Sequence, residues 1–483
     1  MNVLYGLRRA ARFFGDSHAS GGYTWLELCA RAQKRAAYLR GIGIAKGDRL
    51  AVWMLNSHDY LELYWATAIA GIAIVPINTR WNAADVDFTL TDSGAKALAV
   101  DETFAAKAAE LKHAPRILTS AEYSDTPANF NEPSEDDLVG LFYTSGTTGG
   151  PKGVMLTHRN FWSHTMSMLH ATGLKQGVWL HAAPMFHAAD LWSIYLHPVL
   201  GSANLYLPVF DPETFLRMVQ TERVTDTVIV PTMVSMILNH PSFDRYDLSS
   251  LRHILYGASP MPAPLIEPAM RKLPHVRFLQ AYGMTETTPV QVVLRHEDHT
   301  GARIAAAGRP IPGVEVRVVD FDDRDVPVGE SGEVIARGAT VMKGYWNRPE
   351  ISKEALRGGW MHTGDIGRFD ADGFLYIMDR KKDMIKPGGE NVYSPEVESM
   401  ILSHPAVLEA AVIGVPHEKW GETIRAVVVP RAGQDIEPTE LIAWCRERMT
   451  HFKCPTSVVV ADALPKGGTG KIQKNVLRER YGA

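Results

Sequence analysis

Apolar and polar positions fall into blocks along this chain that switch repeatedly between helical and strand spacing. Residues 4–14 form a first helical block that Gly15 and Asp16 end. Thr24 stands three residues before Glu27, and apolar positions then recur at helical spacing as far as Arg40, which predicts a capped helix. Residues 41–47 read as a connection. Apolar runs at 50–54 and 73–77 predict strands, with a helix over 60–70 between them. Such alternation predicts an α/β fold with a largely parallel sheet. The rhythm resumes at 179–187, read as a strand that delivers His187 at its end, and at 227–231 and 251–256. The last of these runs into Gly257, Ala258 and Ser259, and a further strand at 278–282 precedes Gly283, Met284, Thr285 and Glu286. Ligands of open α/β sheets collect beyond the carboxyl ends of strands, so these three polar strand ends predict one site.

From Gly308 the strands become shorter and alternate apolar with charged residues, at 314–320 and 332–337, which predicts a small β subdomain. Stretches at 360–367 and 376–386 follow, and the basic run Arg380, Lys381 and Lys382 between apolar segments of the latter is the candidate hinge. Beyond it a capped helix is expected at 394–403 and strands at 409–415 and 423–430. The roughly hundred residues past the hinge suffice for a compact α+β domain. The expected division is residues 1–380 and 381–483, with the hinge near Lys382. A glycine-rich stretch at 464–474 carries Lys466, Lys471 and Lys474.

A length of 483 residues exceeds one ordinary core and agrees with two or more domains. Hydrophobic content of 46% with 22% charge is that of a globular protein, and a net charge of −4 gives no reason to expect nucleic acid. Cys29, Cys445 and Cys454 include no CxxC pair, so neither a disulfide framework nor a zinc site is signalled, and a reducing cytoplasm fits. No apolar run reaches the length of a membrane span. Arg8, Arg9 and Arg12 precede the first acid, Asp16, as in a transit peptide. A surface helix is the preferred reading, because a structured segment follows without a cleavage-like stretch.

The densest chemistry lies at residues 143–154, YTSGTTGGPKGV. An apolar run at 138–142 predicts a buried strand leading in, and a helix is expected from Met155. Glycines let backbone N–H groups approach an anion, and the hydroxyls add donors without bulk. This is the chemistry of a loop folded around phosphates. It is not a Walker loop, since Pro151 stands where that pattern needs glycine. A linker of this composition is the competing reading, disfavoured by its place between a buried strand and a helix.

Together with YGMTE at 282–286, Thr363-Gly364-Asp365, Asp379-Arg380 and Gly470-Lys471, in that order, this stretch makes the chain resemble the adenylate-forming acyl-CoA synthetase superfamily over essentially its whole length. The resemblance implies a large N-terminal domain and a small mobile C-terminal one. It also implies a two-step reaction using ATP, Mg2+ and coenzyme A. A carboxylate attacks the α-phosphate and releases pyrophosphate, and a thiol then displaces AMP from the acyl-adenylate. By the same resemblance, Thr144, Ser145, Gly146, Thr147, Thr148, Gly149 and Lys152 hold the phosphates, and Thr144 and Glu286 serve Mg2+. Gly257, Ala258, Ser259, Ala281, Tyr282 and Gly283 form the adenine site, with Tyr282 stacking on the purine. Thr285 meets the α-phosphate, and Asp365 and Arg380 meet the ribose. Lys471 stabilises charge in the adenylation step. Gly388, Gly389 and Glu390 match the loop that lines the pantetheine tunnel. Taken alone, Tyr282 and His187 would be core residues, Asp365 a turn cap, and Glu286 and Lys381 solvated charges.

The expected acyl pocket comprises His187, Trp192, Tyr195, Val230, Thr232, Gly257 and Met284. It is apolar and aromatic, with no basic residue placed for a second carboxylate. A small-molecule monocarboxylic acid is therefore expected, either a medium-chain fatty acid or an aryl or arylpropenoic acid. Competing readings are an enzyme that loads a carrier-protein phosphopantetheine, an oxidative luciferase, and a non-catalytic nucleotide-binding regulatory module. Joint presence of Glu286, Asp365, Arg380 and Lys471 speaks against the last. A homodimer is the default expectation for assembly.

Overall fold

The computed structural model describes residues 1–119, 123–127, 130–144, 151–259, 261–467 and 472–482. Among them are four sheets. The first runs in the order Gly344–Tyr345, Lys152–Thr157, Leu138–Thr144, Ala73–Pro76, Arg49–Trp53, Ala97–Val100, Arg116–Thr119. Its strands from Leu138–Thr144 onward pair in parallel. Ala73–Pro76 and Ala97–Val100 are buried at every position, as continuous apolar runs covered on both faces must be. The second sheet, of nine strands, carries His18–Ser20, Ala203–Tyr206, Val178–His181, Asp226–Ile229, His253–Gly257 and Arg277–Tyr282 in parallel, with Tyr23–Thr24 antiparallel at one edge and Val292–Leu294 and Arg309–Pro310 antiparallel at the other. Val314–Val319, Gly332–Gly338, Met361–Phe369 and Leu375–Arg380 make the antiparallel third sheet, the expected β subdomain. Val407–His417, Gly421–Pro430 and Ser457–Val460 make the fourth.

The N-terminal block is the helix Leu4–Phe13, which buries Leu4, Leu7 and Ala10 and packs on the helix Ala188–Leu200. Its basic residues are tied to the protein, Arg8 to Glu132 and Arg9 to the Val199 carbonyl at 2.7 Å. Thr24 caps the helix Trp25–Gly41 in a reciprocal capping box with Glu27, as expected. The three cysteines are free and buried. Among the described residues, no helix is long and apolar enough to cross a membrane.

Several local expectations differ from the structure. Residues 155–157 continue the strand Lys152–Thr157, because Met155 pairs with Leu141 across a hairpin. The helix begins at His158, where Thr157 and Asn160 form a capping box. The strand read over 179–187 ends at His181. Pro184 has no N–H for a ladder, and His187 is instead the N-cap of Ala188–Leu200. Pro231 opens a helix at its first position rather than ending a strand. In the helix Ser394–Leu402, Ser394 does not cap; its N–H and hydroxyl donate to Asp379 at 2.7 and 2.8 Å. Tyr195 is only 2% exposed and belongs to the core, edge-on to Trp65 at 5.3 Å and against Phe161 at 4.7 Å. Its aromatic bulk fills the space between helices, so it does not face the cleft described next.

Candidate active site

The carboxyl ends of both parallel sheets open into one cleft of about 2270 Å³. Thr144 comes from the first sheet, while His187 and Val230 follow strands of the second and Gly257 and Tyr282 end them. Asp365 and Arg380 come from the β subdomain, and Lys466 and Lys474 from the C-terminal part.

Thr144 and Lys152 are register partners at the open end of the hairpin formed by Leu138–Thr144 and Lys152–Thr157. Ser145, Gly146, Thr147, Thr148 and Gly149 lie outside the described residues. The hairpin is anchored by Tyr143, whose hydroxyl donates to Asp92 at 2.6 Å, while Arg348 pairs with the same carboxylate at 2.8 Å. Lys152 Nζ lies 5.4 Å from the centre of the Tyr345 ring, and the Tyr345 hydroxyl donates to Glu286 Oε1 at 2.8 Å. Glu286 is 6% exposed. Burial pushes its carboxyl above the usual range, while the Tyr345 hydrogen bond and the charges of Arg380 and Lys152 oppose that rise.

A second group forms where the nine-stranded sheet meets the β subdomain. The Tyr282 hydroxyl donates to Asp365 Oδ2 at 2.7 Å, and Arg380 Nε lies 3.4 Å from Asp365 Oδ1. Asp365 and Arg380 are register partners on adjacent strands, which places carboxylate and guanidinium on the same face. Burial first, and the Asp365 charge next, hold the Tyr282 phenol protonated well above its ordinary range. Two glycines keep the neighbouring strands close. A Cβ at Gly257 would meet the Ala281 carbonyl oxygen at 2.1 Å, and one at Gly283 the Pro289 carbonyl oxygen at 1.9 Å. Ala258 follows Gly257 in left-handed conformation, φ 65°, turning the chain over this part of the cleft.

Ser259, Ala281 and Thr285 line the same cleft, as do Trp192, Thr232 and Met284 on its apolar side. Trp192 is fixed by a hydrogen bond from its indole N–H to the Ala189 carbonyl at 2.9 Å. His187 Nδ1 accepts the Ala189 N–H at 3.2 Å, so a neutral ring carries its proton on Nε2. Phe186, Met236 and Met261 also line this side. Lys272 lines the cleft too, but its ammonium is committed to the Leu238 carbonyl at 2.9 Å.

Lys471 lies outside the described residues, but its flanks are placed: Gly467 and Ile472 both line the cleft. Arg80, beyond the strand Ala73–Pro76, reaches across to the Gly467 carbonyl at 3.0 Å. Lys466 pairs with Glu409 and Lys474 with Glu398, at 2.5 and 2.7 Å. Lys382 lines the cleft, and burial pulls its ammonium below the usual range. Gly388, Gly389 and Glu390 are not brought to the cleft. Gly388 N–H donates to the Trp420 carbonyl at 2.9 Å, and a Cβ there would touch the Trp420 ring at 2.9 Å.

Sequence reading missed Tyr345 and Gln280, both on the cleft. Tyr345 follows Gly344 in a two-residue strand too short for periodicity to mark. Gln280 was within reach, being the residue before Ala281 on a strand whose end was already singled out.

Residues 7–346 match the family described as AMP-binding enzyme, and residues 396–471 the AMP-binding enzyme C-terminal domain. A feruloyl-CoA synthase of Amycolatopsis sp is 42% identical over 473 residues, 96% of this chain and 95% of that protein. The long-chain-fatty-acid–CoA ligase FadD13 of Mycobacterium tuberculosis is 36% identical, covering 95% and 93% respectively. The o-succinylbenzoate coenzyme A synthetase of Bacillus subtilis, solved with ATP and magnesium ion, superposes with a TM-score of 0.88 at 31% identity, over 98% of this chain and 99% of that one. With the hairpin that carries Thr144 and Lys152, a Tyr–Asp–Arg group and an apolar side on one cleft, and with both family matches, this chain belongs to the adenylate-forming AMP-binding enzymes and is an AMP-forming acid–CoA ligase that uses ATP, Mg2+ and coenzyme A.

Proposed function

We propose that the acid is a monocarboxylic acid with an apolar body, a medium-chain fatty acid or an aryl or arylpropenoic acid. The observation that carries this is the apolar side of the cleft, walled by Phe186, Trp192, Val230, Met261 and Met284, with its neighbouring lysine already committed. A second carboxylate would be buried there without a cation, at a cost of several kcal/mol. Of the two classes, the feruloyl-CoA synthase relative favours the arylpropenoic acid.

In the proposed reaction, adenine lies between residues 257–259 and Tyr282, the ribose hydroxyls meet Asp365 and Arg380, and the phosphates run toward Thr144 and Lys152. The acid's carboxylate oxygen bonds to the α-phosphorus as the bond to the β-phosphate oxygen breaks and pyrophosphate leaves. Thr285 donates to the α-phosphate, and Lys152 supplies charge for the departing pyrophosphate. Lys471 brings an ammonium to both the carboxylate and the α-phosphate, where negative charge develops. Among the described residues no group of three or more His, Cys, Asp or Glu side chains could hold a metal alone. A single buried carboxylate, Glu286, beside the phosphate hairpin nevertheless fits Mg2+, which commonly binds through one or two carboxylates plus substrate phosphates. When bound, the ion neutralises phosphate charge.

In the second step the coenzyme A sulfur bonds to the acyl carbonyl carbon as AMP leaves with its phosphate oxygen. Residues 388–390 do not line the cleft here, whereas Gly467 and Ile472, either side of Lys471, do. One arrangement therefore serves adenylation, and rotation of residues 381–483 about Lys382 would bring the glycine loop in for thioester formation. The three free, buried cysteines fit a cytoplasmic setting.

A pyrophosphate-release screen across carboxylic acids, with and without coenzyme A, tests this reading. Turnover with arylpropenoic or medium-chain acids, completed by free coenzyme A, is the expected result. Preference for dicarboxylates, or an acceptor requirement met only by a carrier protein, overturns it.

A further inference from the structure

Asn56 touches no part of the cleft, yet it holds the segment that delivers His187 to it. It stands just past the carboxyl end of the strand Arg49–Trp53 in the seven-stranded sheet, two residues before the helix His58–Ala70. Its side chain reaches across to the segment after Val178–His181 in the nine-stranded sheet. The amide N–H2 donates to the His181 carbonyl at 3.1 Å and to the Ala183 carbonyl at 2.8 Å, and its oxygen accepts the Met185 N–H at 2.7 Å. Tyr64, on the following helix, donates its hydroxyl to the Met185 carbonyl at 2.9 Å. Asn56 is 5% exposed and Met185 is fully buried, so these are bonds that water does not replace.

The segment they hold has no ladder of its own beyond His181. Ala182 to Phe186 form an irregular connection, and irregular backbone is positioned only by what its N–H and C=O groups find. Here the Ala183 C=O and the Met185 N–H, together with the His181 C=O at the strand end, find their partners in one amide. The next residues are Phe186 and His187, then Ala188, Ala189 and Trp192 on the helix that forms the pocket wall. A second tie acts from the helix side, where His181 Nδ1 and Asp190 Oδ2 share a hydrogen bond at 2.6 Å, both side chains fully buried.

We infer that Asn56 is a positioning residue for the acyl half of the site, setting the place of His187 and the pocket wall without touching substrate. The inference rests on the proposed role of His187 at the acyl pocket. Asn is suited to this work because one planar group offers two donors and an acceptor at once. Asp has the same shape but presents acceptors to the two carbonyls, so Asn56→Asp removes the anchor without creating a cavity. Tyr64→Phe removes only the fourth bond.

The test measures kcat and KM for acid and for ATP separately, in Asn56→Asp, Tyr64→Phe, His187→Ala and the double variant Asn56→Asp/His187→Ala, alongside thermal unfolding. Displacement of a reacting geometry by about 1 Å costs on the order of 100-fold. Asn56→Asp is expected to lower kcat/KM for the acid by about 10- to 100-fold and to leave KM for ATP within about twofold, because the nucleotide groups sit on other strands. Tyr64→Phe should show a smaller loss with the same acid specificity, and it serves as the folded variant if Asn56→Asp unfolds. In the His187→Ala background Asn56→Asp should add less than about twofold. Full additivity of the two substitutions, or equal damage to acid and ATP parameters in Tyr64→Phe, overturns the inference. If His187→Ala alone is silent, the reading of His187 fails, and that outcome is distinct from an impaired His187→Ala with a silent Asn56→Asp, which sinks the anchor alone.

Discussion

Replacing Tyr345 by Phe removes one oxygen and keeps the ring over which Lys152 sits. The lost hydroxyl donates to Glu286 at 2.8 Å, and the two residues are 8% and 6% exposed, so solvent is poorly placed to substitute. A hydrogen bond to an ionised acceptor is worth about 1.5–3 kcal/mol, or roughly 10- to 150-fold in an equilibrium constant. Burial already holds the Glu286 carboxyl above its usual range, and the Tyr345 bond is the first influence opposing it. Without it the carboxyl rises further, and a larger fraction is protonated at neutral pH. A protonated carboxyl is a poor ligand for Mg2+. The loss of adenylation should therefore be greatest at acidic pH, shrink as pH rises, and be partly recovered by added Mg2+. ATP–pyrophosphate exchange at saturating acid, from about pH 6 to about pH 9 with a Mg2+ titration at each pH, reads this directly. A loss that is uniform across pH and indifferent to Mg2+ would refute the reasoning, since it would place the effect in packing rather than in the charge of Glu286.

Four further outcomes follow from the site as proposed. A carboxyl whose folded-state pKa is raised contributes stability that is present at low pH and lost as pH rises through that value; Glu286→Gln should thus raise the ligand-free Tm at neutral pH while abolishing exchange, and a lowered Tm would contradict the burial account. Asp365→Asn keeps an acceptor for Tyr282 but loses the charge facing Arg380, so KM for ATP should rise by roughly 10-fold or more and discrimination against 2′-deoxy-ATP should shrink; unchanged discrimination removes Asp365 from the ribose. Gly283→Ala forces a Cβ to within 1.9 Å of the Pro289 carbonyl oxygen, and the strain of about 1–3 kcal/mol should lower Tm and weaken ATP binding together. Lys471→Ala should abolish formation of acyl-AMP yet leave thioester formation from supplied acyl-AMP largely intact; equal loss of both half-reactions in a folded variant would end the domain-alternation reading.

Unbroken apolar runs, the signature of strands covered on both faces, were enough to find the parallel strands near 50–54, 73–77, 138–142, 227–231, 251–256 and 278–282, whereas Ala97–Val100, Arg116–Thr119 and Ala203–Tyr206 went unread. The capped helix from Thr24 was legible for the same local reason, since its reciprocal hydrogen bonds span three residues. Where spacing misled, a longer-range contact had decided the outcome. Met155 to Thr157 carry helix-compatible residues, but pairing with the strand Leu138–Thr144 keeps them extended. Trp192 and Tyr195, three residues apart on one helix, were both expected at the pocket, yet only Trp192 lines it. The helix packs against Trp65 and Phe161 on the side that carries Tyr195, and which side that is depends on elements more than a hundred residues earlier and some thirty residues before it.

The same division separates the chemistry that motifs reveal from the chemistry they leave out. Residues proposed to meet the nucleotide cluster at strand ends, and most sit inside short runs whose glycines and hydroxyls are conspicuous. Residues that hold those groups in place do not. Tyr345 supports Glu286 from 59 positions away, and Asn56 supports the His187 segment from 125. Both belong to the first sheet or its immediate extension, and both act on groups that follow strands of the second. A cleft built between two sheets needs such crossings, because each sheet orders its own strands but nothing within either ladder sets the distance between them. A buried side chain bonded to backbone of the opposite sheet, or to a carboxylate on it, supplies that distance. Its position is therefore dictated by topology rather than by local pattern, and substitutions there should change the reaction while leaving every recognisable motif intact.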